Sequence, residues 1–280
     1  MDGTKHDRAK FKLALILGLG SVSLVVLFIL SLTTGVMDIS FGEAMTGVWN
    51  LIRNGGVHQN TQELVLWQLR IPRALGVIAV GVGLSVAGAV MQALIRNPLV
   101  DPYITGVSSG AALGVTLAVL GGVTFVGMTA YMAPLMAFIG AITAFLLTML
   151  LAEAAGGRSI SYVLGGVIVG IALQSGTTLL MYYNTDRLHG VLFWLFGSFA
   201  YLDWDSVLLI VIGVAVLSAI MLIYAKELNV ILLGDEQAKQ LGMDVKRFKT
   251  FMFVLVSALT AVCVAFTGVI GFVGLIVPHL

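Results

Sequence analysis

The chain has 280 residues, of which 59% are hydrophobic and 10% charged, and its formal net charge is +1. Ordinary globular domains carry about 25% charge, so this composition is that of an integral membrane protein, and its near-neutral balance makes no case for nucleic acid. A single cysteine, Cys263, lies in an apolar run, which excludes a disulfide framework and a cysteine-based metal site.

Residues 1–12 are polar and basic, and Leu13 to Leu32 is apolar. That core is longer than the roughly 7–15 residues of a signal-peptide h-region, and no A-x-A site follows, so it reads as a first transmembrane helix. Residues 36–69 form the longest polar connection. Within it Phe41, Met45, Val48, Trp49 and Ile52 recur at helical spacing, which predicts a short amphipathic helix on the outer surface. A second span is expected at about 74–95 and a third from Tyr103 to about Gly121. Between them Asn97-Pro98 and Asp101-Pro102 break the apolar run. A fourth span at about 128–152 contains Pro134, and 153–158 is a tight turn into a fifth at about 160–183. Residues 184–205 hold Asp186, Arg187, Asp203 and Asp205 around Phe193, Trp194 and Phe196, which suggests a re-entrant or interfacial segment with rings at headgroup level. A sixth span falls at about 206–225, a polar segment at 226–249 and a seventh span at about 250–267.

The last ten residues, GFVGLIVPHL, read as the start of an eighth span. A span needs about 20 apolar residues, so the expectation is a C-terminal truncation. With this topology eleven of the fifteen Lys and Arg fall inside, which predicts a cytoplasmic N-terminus in a multi-pass plasma- or inner-membrane protein. Ala79/Gly83, Ser85/Ala89, Gly110/Gly114 and Gly166/Gly170 are small-xxx-small pairs, which places spans two, three and five inside the bundle.

Enzyme signatures are missing. No lysine follows a glycine, so the GxxxxGK[ST] phosphate loop is absent, and the four histidines are scattered with no HExxH. No chain of intramembrane carboxylates marks a proton relay, so any transport energy is expected from another subunit. Two polar features each admit two readings. Arg70 and Arg73, three apart before the second span, either anchor it at the headgroups or present paired charge to an acidic partner, for which the planar guanidinium suits bidentate carboxylate binding. Leu228–Val245 is either a solvated inner loop or a short helix pair that docks a soluble partner.

Taken together, Arg70-Ile-Pro-Arg73, the block Gly88 to Pro102 (GAVMQALIRNPLVDP), Gly106 to Gly114 (GVSSGAALG), Phe193-Trp-Leu-Phe-Gly197, Leu233 to Gly242 (LGDEQAKQLG) and Gly271 to Leu280 resemble one family, in family order and over essentially the whole chain. It is the FecCD or BtuC-like permease family of ABC importers for iron chelates, haem and vitamin B12. The resemblance implies an all-α polytopic membrane bundle, ten helices in the family with about seven to eight here, forming a single permease domain over 1–280. It implies three kinds of partner: a separate cytoplasmic ATP-binding subunit, an extracytoplasmic substrate-binding protein and a second permease, identical or paralogous. Membrane lipid surrounds such a bundle, and no bound cofactor or metal is implied.

Residue by residue, Arg70 and Arg73 match the arginines that dock the binding protein, and Asn97 and Leu99 match the cytoplasmic gate. Gly234, Asp235, Glu236, Ala238, Leu241 and Gly242 match the segment that couples to the ATPase. Gln174, Ser175 and Thr178, on the fifth span, are path candidates, with hydrogen bonding between helices as their other reading. Ferric siderophore is the first cargo expected. Haem, cobalamin and molybdate stay open, as do a secondary transporter and a non-functional fragment.

Overall fold

A computed structural model describes residues 3–122, 129–184 and 188–280. Asp186 and Arg187 lie outside them. The chain packs as two compact units, Met1–Leu75 and Gly76–Leu280.

In the first unit α1 (Gly3–Thr33) exposes apolar side chains all around, among them Ile16, Leu19 and Val22. A helix apolar on every side and unburied needs lipid around it. The amphipathic helix expected in the polar connection is α2 (Phe41–Arg53). Its start is set by a capping box in which the Ser40 hydroxyl accepts from the Glu43 N–H while the Glu43 carboxylate accepts from the Ser40 N–H at 2.8 Å. The end of that connection is helical too. A short α3 (Thr61–Val65) runs through a π turn, Leu66–Arg70, into α4 (Ile71–Ile95), so one helical rod begins about a dozen residues before the expected span.

The second unit holds the remaining spans. After α4 come a 3-10 turn (Pro102–Thr105), α5 (Val107–Gly121), α6 (Thr129–Ala154), α7 (Ser159–Tyr183), the short α8 (Leu188–Leu195) and α9 (Trp204–Ile223). Then follow α10 (Ala225–Leu233), α11 (Asp235–Gln240), α12 (Val245–Thr267) and the single turn α13 (Val273–Ile276). Among the described residues six helices are long and apolar enough to cross a membrane, and no strand occurs. Two expected spans differ. The third is the 15-residue α5, about 22 Å at 1.5 Å per residue and so short of the hydrocarbon thickness. The eighth is one helical turn followed by a 3-10 turn, reached through a non-helical stretch in which Gly268 and Phe272 both hold φ 68.

Small residues let α5, α6 and α7 close on one another. A Cβ on Gly110 would stand 2.3 Å from the Gly140 carbonyl oxygen, and one on Gly114 only 2.0 Å from that of Met136. Away from these contacts α6 exposes Leu146 and α7 exposes Ile168, and α9 exposes Leu209 and Ile212, as lipid-facing surfaces do.

Candidate functional site

The sequence-predicted residues fall into four places. The first lies in the N-terminal unit. Arg70 closes the π turn and is only 7% exposed. Its guanidinium donates to the carbonyls of Leu32 and Met37, on either side of the bend after α1. Gly35 lets that bend come close, since a Cβ there would stand 2.8 Å from the guanidinium. Arg73, one turn later, is exposed. The two arginines expected to share a surface are thus divided, because a loop distant in sequence folds over the first. The same unit is stitched by Glu63, buried, which accepts from the Asn50 side chain at 3.2 Å and the Gln59 N–H at 2.6 Å. Glu43 accepts from Gln62 at 3.1 Å. Donation from the Ser40 N–H, then from the Ser40 hydroxyl and Gln62, holds the Glu43 carboxyl below its ordinary value.

The second place is the break after α4. Arg96 has φ 56, a left-handed conformation, and the Asn97 N–H reaches back to the Gln92 carbonyl. This is a Schellman-type helix end, where glycine is the usual residue; an arginine there costs of order 1 kcal/mol in backbone strain. Asn97 and Leu99 are both exposed, Leu99 at 79%, and the Asn97 side chain accepts from the Leu99 N–H at 2.9 Å. Asp101 caps the following turn through the Tyr103 N–H, and its partial burial raises its carboxyl above the ordinary value. The loop is flanked by the chain's last segment. Gln92 donates to the Leu275 carbonyl, Tyr103 to that of Ile270, and His279 Nε2 lies 3.0 Å from that of Pro98.

The third place is α10–α11. Ile231, Ala238 and Val245 form a small buried core with Val230, Met243 and Phe248 against it. Gly234 joins the helices at φ 125, ψ 154, a region open only to glycine, and a Cβ there would also strike the Gln237 side chain at 2.2 Å. The six residues expected to meet a partner therefore divide by position. Glu236, Leu241 and Gly242 are exposed beside Leu232, Leu233 and Gln237, while Gly234 and Ala238 are buried. Asp235 turns inward.

That inward turn builds a cluster that sequence reading missed. Lys249, on α12 and 6% exposed, places Nζ 2.7 Å from one Asp235 carboxylate oxygen and 2.8 Å from the other. It also donates to Ser159 Oγ at 3.0 Å, and Ser159 donates to the Leu94 carbonyl at 3.3 Å. Arg96 Nη2 completes the set 3.2 Å from Asp235. A buried ammonium must be paired, so Lys249 determines where Asp235 sits. The Arg96 arm is more open, with side chains 41% and 34% exposed, and a pair of that kind contributes roughly 0.2–1 kcal/mol. Lys246, Arg247 and Lys249 all fall in the first five residues of α12, so the sequence marked a basic helix start without singling out the cation that is buried. A second tie lies at the ends of α6 and α12, where Glu153 takes Lys246 at 2.6 Å and the Tyr162 hydroxyl at 2.6 Å.

The fourth place is α7. Gln174, Ser175 and Thr178 are exposed and share one groove of about 660 Å³ with Ser109, Gly170 and Ile171. The hydroxyls of Ser175 and Thr178 donate to carbonyls one turn back, at 2.8 and 3.0 Å, so this wall offers acceptor oxygens over a mainly apolar surface.

Residues 23–280 match the FecCD transport family. The chain is 38% identical over 221 residues to the cobalamin import system permease of Halobacterium salinarum, covering 78% of this chain and 58% of that one. It is 32% identical over 260 residues to the Fe(3+)-citrate import system permease of Bacillus subtilis, covering 93% and 75%. The molybdate import system permease of Haemophilus influenzae matches at 35% over 222 residues, 78% and 64% of the two chains. A solved structure described as an inward-facing conformation of a metal-chelate type ABC transporter superposes with a TM-score of 0.80 at 31% identity, over 95% of this chain and 80% of that one. The chain thus spans between roughly three-fifths and three-quarters of the curated relatives named here. With its motifs in place from the α4 break to GFVGLIVPHL, the chain belongs to the FecCD transport family.

Proposed function

We propose that this chain is the membrane-spanning permease subunit of a binding-protein-dependent ABC importer and that it passes a metal chelate into the cytoplasm, with ferric siderophore the first candidate. It acts beside a second permease chain, identical or paralogous, in the plasma or inner membrane with its N-terminus cytoplasmic. The observation that carries the reading is the α10–α11 element. It presents an exposed rim (Leu232, Leu233, Glu236, Gln237, Leu241) over its own small core, and its Asp235 is tied to the residue before the Asn97–Leu99 loop. A helical element geared to a helix break is what a subunit driven by a separate ATPase needs, since the bundle rather than any reacting side chain then does the switching.

In this scheme a loaded binding protein meets Arg73, whose exposed guanidinium suits an acidic partner, while Arg70 holds the bend after α1 in shape. ATP binding in the partner subunit moves α11, and the Asn97–Leu99 loop opens or closes the inner end of the path. The α7 groove, with Gln174, Ser175 and Thr178, lines that path for a bulky cargo. Relatives named for cobalamin, ferric citrate and molybdate carry cargoes of unlike chemistry, and a wall of this kind favours size over a specific charge pattern.

Two experiments test the proposal. Purified from its native membrane in mild detergent, the chain should bring an ATP-binding subunit with it, and replacing residues 235–239 by a Gly/Ser run should release that subunit. Retention of the subunit by the replaced chain sinks the coupling role. Uptake of labelled ferric siderophore, cobalamin and molybdate by cells with and without the chain then assigns the cargo; equal uptake of all three in both cells rejects import.

A further inference from the structure

We infer that Arg96 is a positioning residue that holds the Asn97–Leu99 loop to Asp235 of α11, so that displacement of α11 is passed to the loop through this ion pair. The inference rests on the permease reading above and names how its two moving parts are joined.

Three observations converge. Arg96 occupies the left-handed position that ends α4, with φ 56, where glycine would carry no strain. The residue there is nevertheless an arginine, and its side chain's ion-pair partner is Asp235 at 3.2 Å. Next, Asp235 is not free to follow Arg96 at random, because the buried Lys249 grips both its carboxylate oxygens and is itself held by Ser159. The pair is therefore asymmetric, with one half anchored in the α11–α12 region and the other riding on the loop. Finally, Arg96 is the residue immediately before Asn97, and a Cβ on Gly234 would lie 3.3 Å from its other terminal nitrogen. The guanidinium thus sits across the joint between α10 and α11, where a rotation of α11 displaces it first. Among the described residues Arg96–Asp235 is the one ion pair between the α4 end and this region, beside the neutral hydrogen bonds from Lys249 through Ser159 to the Leu94 carbonyl. The Glu153–Lys246 pair ties α6 to α12 and leaves the loop out.

The charged groups facing Arg96 are thus Asp235 and, behind it, Lys249. Replacing Arg96 removes one cation from an anion that keeps the other, so Asp235 stays paired and the bundle stays folded. What is lost is the charged link from Asp235 to the residue next to Asn97, while the hydrogen bonds through Ser159 stop at Leu94, inside α4.

The test uses the complete importer in proteoliposomes, with the cargo and partners the preceding experiments identify. In R96Q, ATP hydrolysis should stay within about twofold of wild type while cargo moved per ATP falls roughly fivefold, in the range of a typical coupling free energy. R96K keeps the charge without the planar fork and should recover part of that ratio. Spin labels on Leu99 and Gln237 give a second readout. In wild type the 99 label should shift when nucleotide is added, and in R96Q the 237 label should shift without it. An unchanged cargo-to-ATP ratio in R96Q overturns the inference, and so does an equal loss of hydrolysis and uptake. Failure of the wild-type chain to take up any cargo with ATP instead overturns the permease reading itself.

Discussion

Lys249 is nearly buried on α12, yet its ammonium lies 2.7 Å from Asp235 at the first position of α11. The two members of this pair are not equivalent, since Asp235 keeps Arg96 and some solvent while Lys249 has only Asp235 and Ser159 among the partners seen. D235A should therefore lower stability by about 3 kcal/mol, because it leaves a buried cation unpaired. K249M removes the cation with its burial cost and should cost less than about 1.5 kcal/mol. Unfolding midpoints of the detergent-solubilised variants check the order. Equal losses would show that Lys249 is not the dependent partner.

Arg70 and Arg73 should separate cleanly. R70M leaves the carbonyls of Leu32 and Met37 without their donor and should cost about 2–3 kcal/mol of stability, the range for hydrogen bonds to a charged group. R73E, at an exposed position, should shift the unfolding midpoint less than R70M does and weaken capture of the cognate binding protein by about tenfold, or about 1.4 kcal/mol. Capture on immobilised protein and thermal unfolding measured side by side decide it. If R73E unfolds and R70M does not, the assignment is reversed.

The helix contacts at Gly110 and Gly114 predict a sharp contrast among glycine-to-alanine changes. At Gly114 a methyl group meets the backbone of Met136 at 2.0 Å, and G114A should cost about 1–3 kcal/mol as α5 and α6 are forced apart. At Gly81 nothing lies within 4 Å, so G81A should be neutral or slightly stabilising, alanine being the better helix former. Monodisperse yield and unfolding midpoint report both, and a harmless G114A would contradict the packing.

Acid should loosen α2 at its start. The Glu43 carboxyl is held below its ordinary value of 4.5, chiefly by the Ser40 N–H, so folding favours the ionised form. That contribution is complete above the ordinary value and is lost as pH falls through the lowered value of the folded state. Amide exchange in the first turn of α2, corrected for intrinsic rates, should accelerate below pH 4.5 in the wild type and show a weaker pH dependence in E43Q. The same acid response in E43Q would rule out this carboxyl as its cause.

The spans were legible because hydropathy over some 20 residues is a property of the local chain, and the ends of α7 and α9 fall within two residues of expectation. The α2 helix was legible from its periodicity alone. The run of α3 through a π turn into α4 was not, because Thr61 to Arg70 carries polar residues that read as loop.

What the sequence by itself determined is the kind of solvent this chain needs, the order of its spans and the breaks at Asn97-Pro98 and Asp101-Pro102. Only the tertiary structure decided that Arg70 turns inward while Arg73 stays exposed, and that Arg96, Ser159, Asp235 and Lys249 meet at one point. Those four lie up to 153 positions apart in sequence. The reason is physical: a charge in a membrane protein is placed by whichever partner can neutralise it where water is excluded, and that partner is found only after the helices have packed.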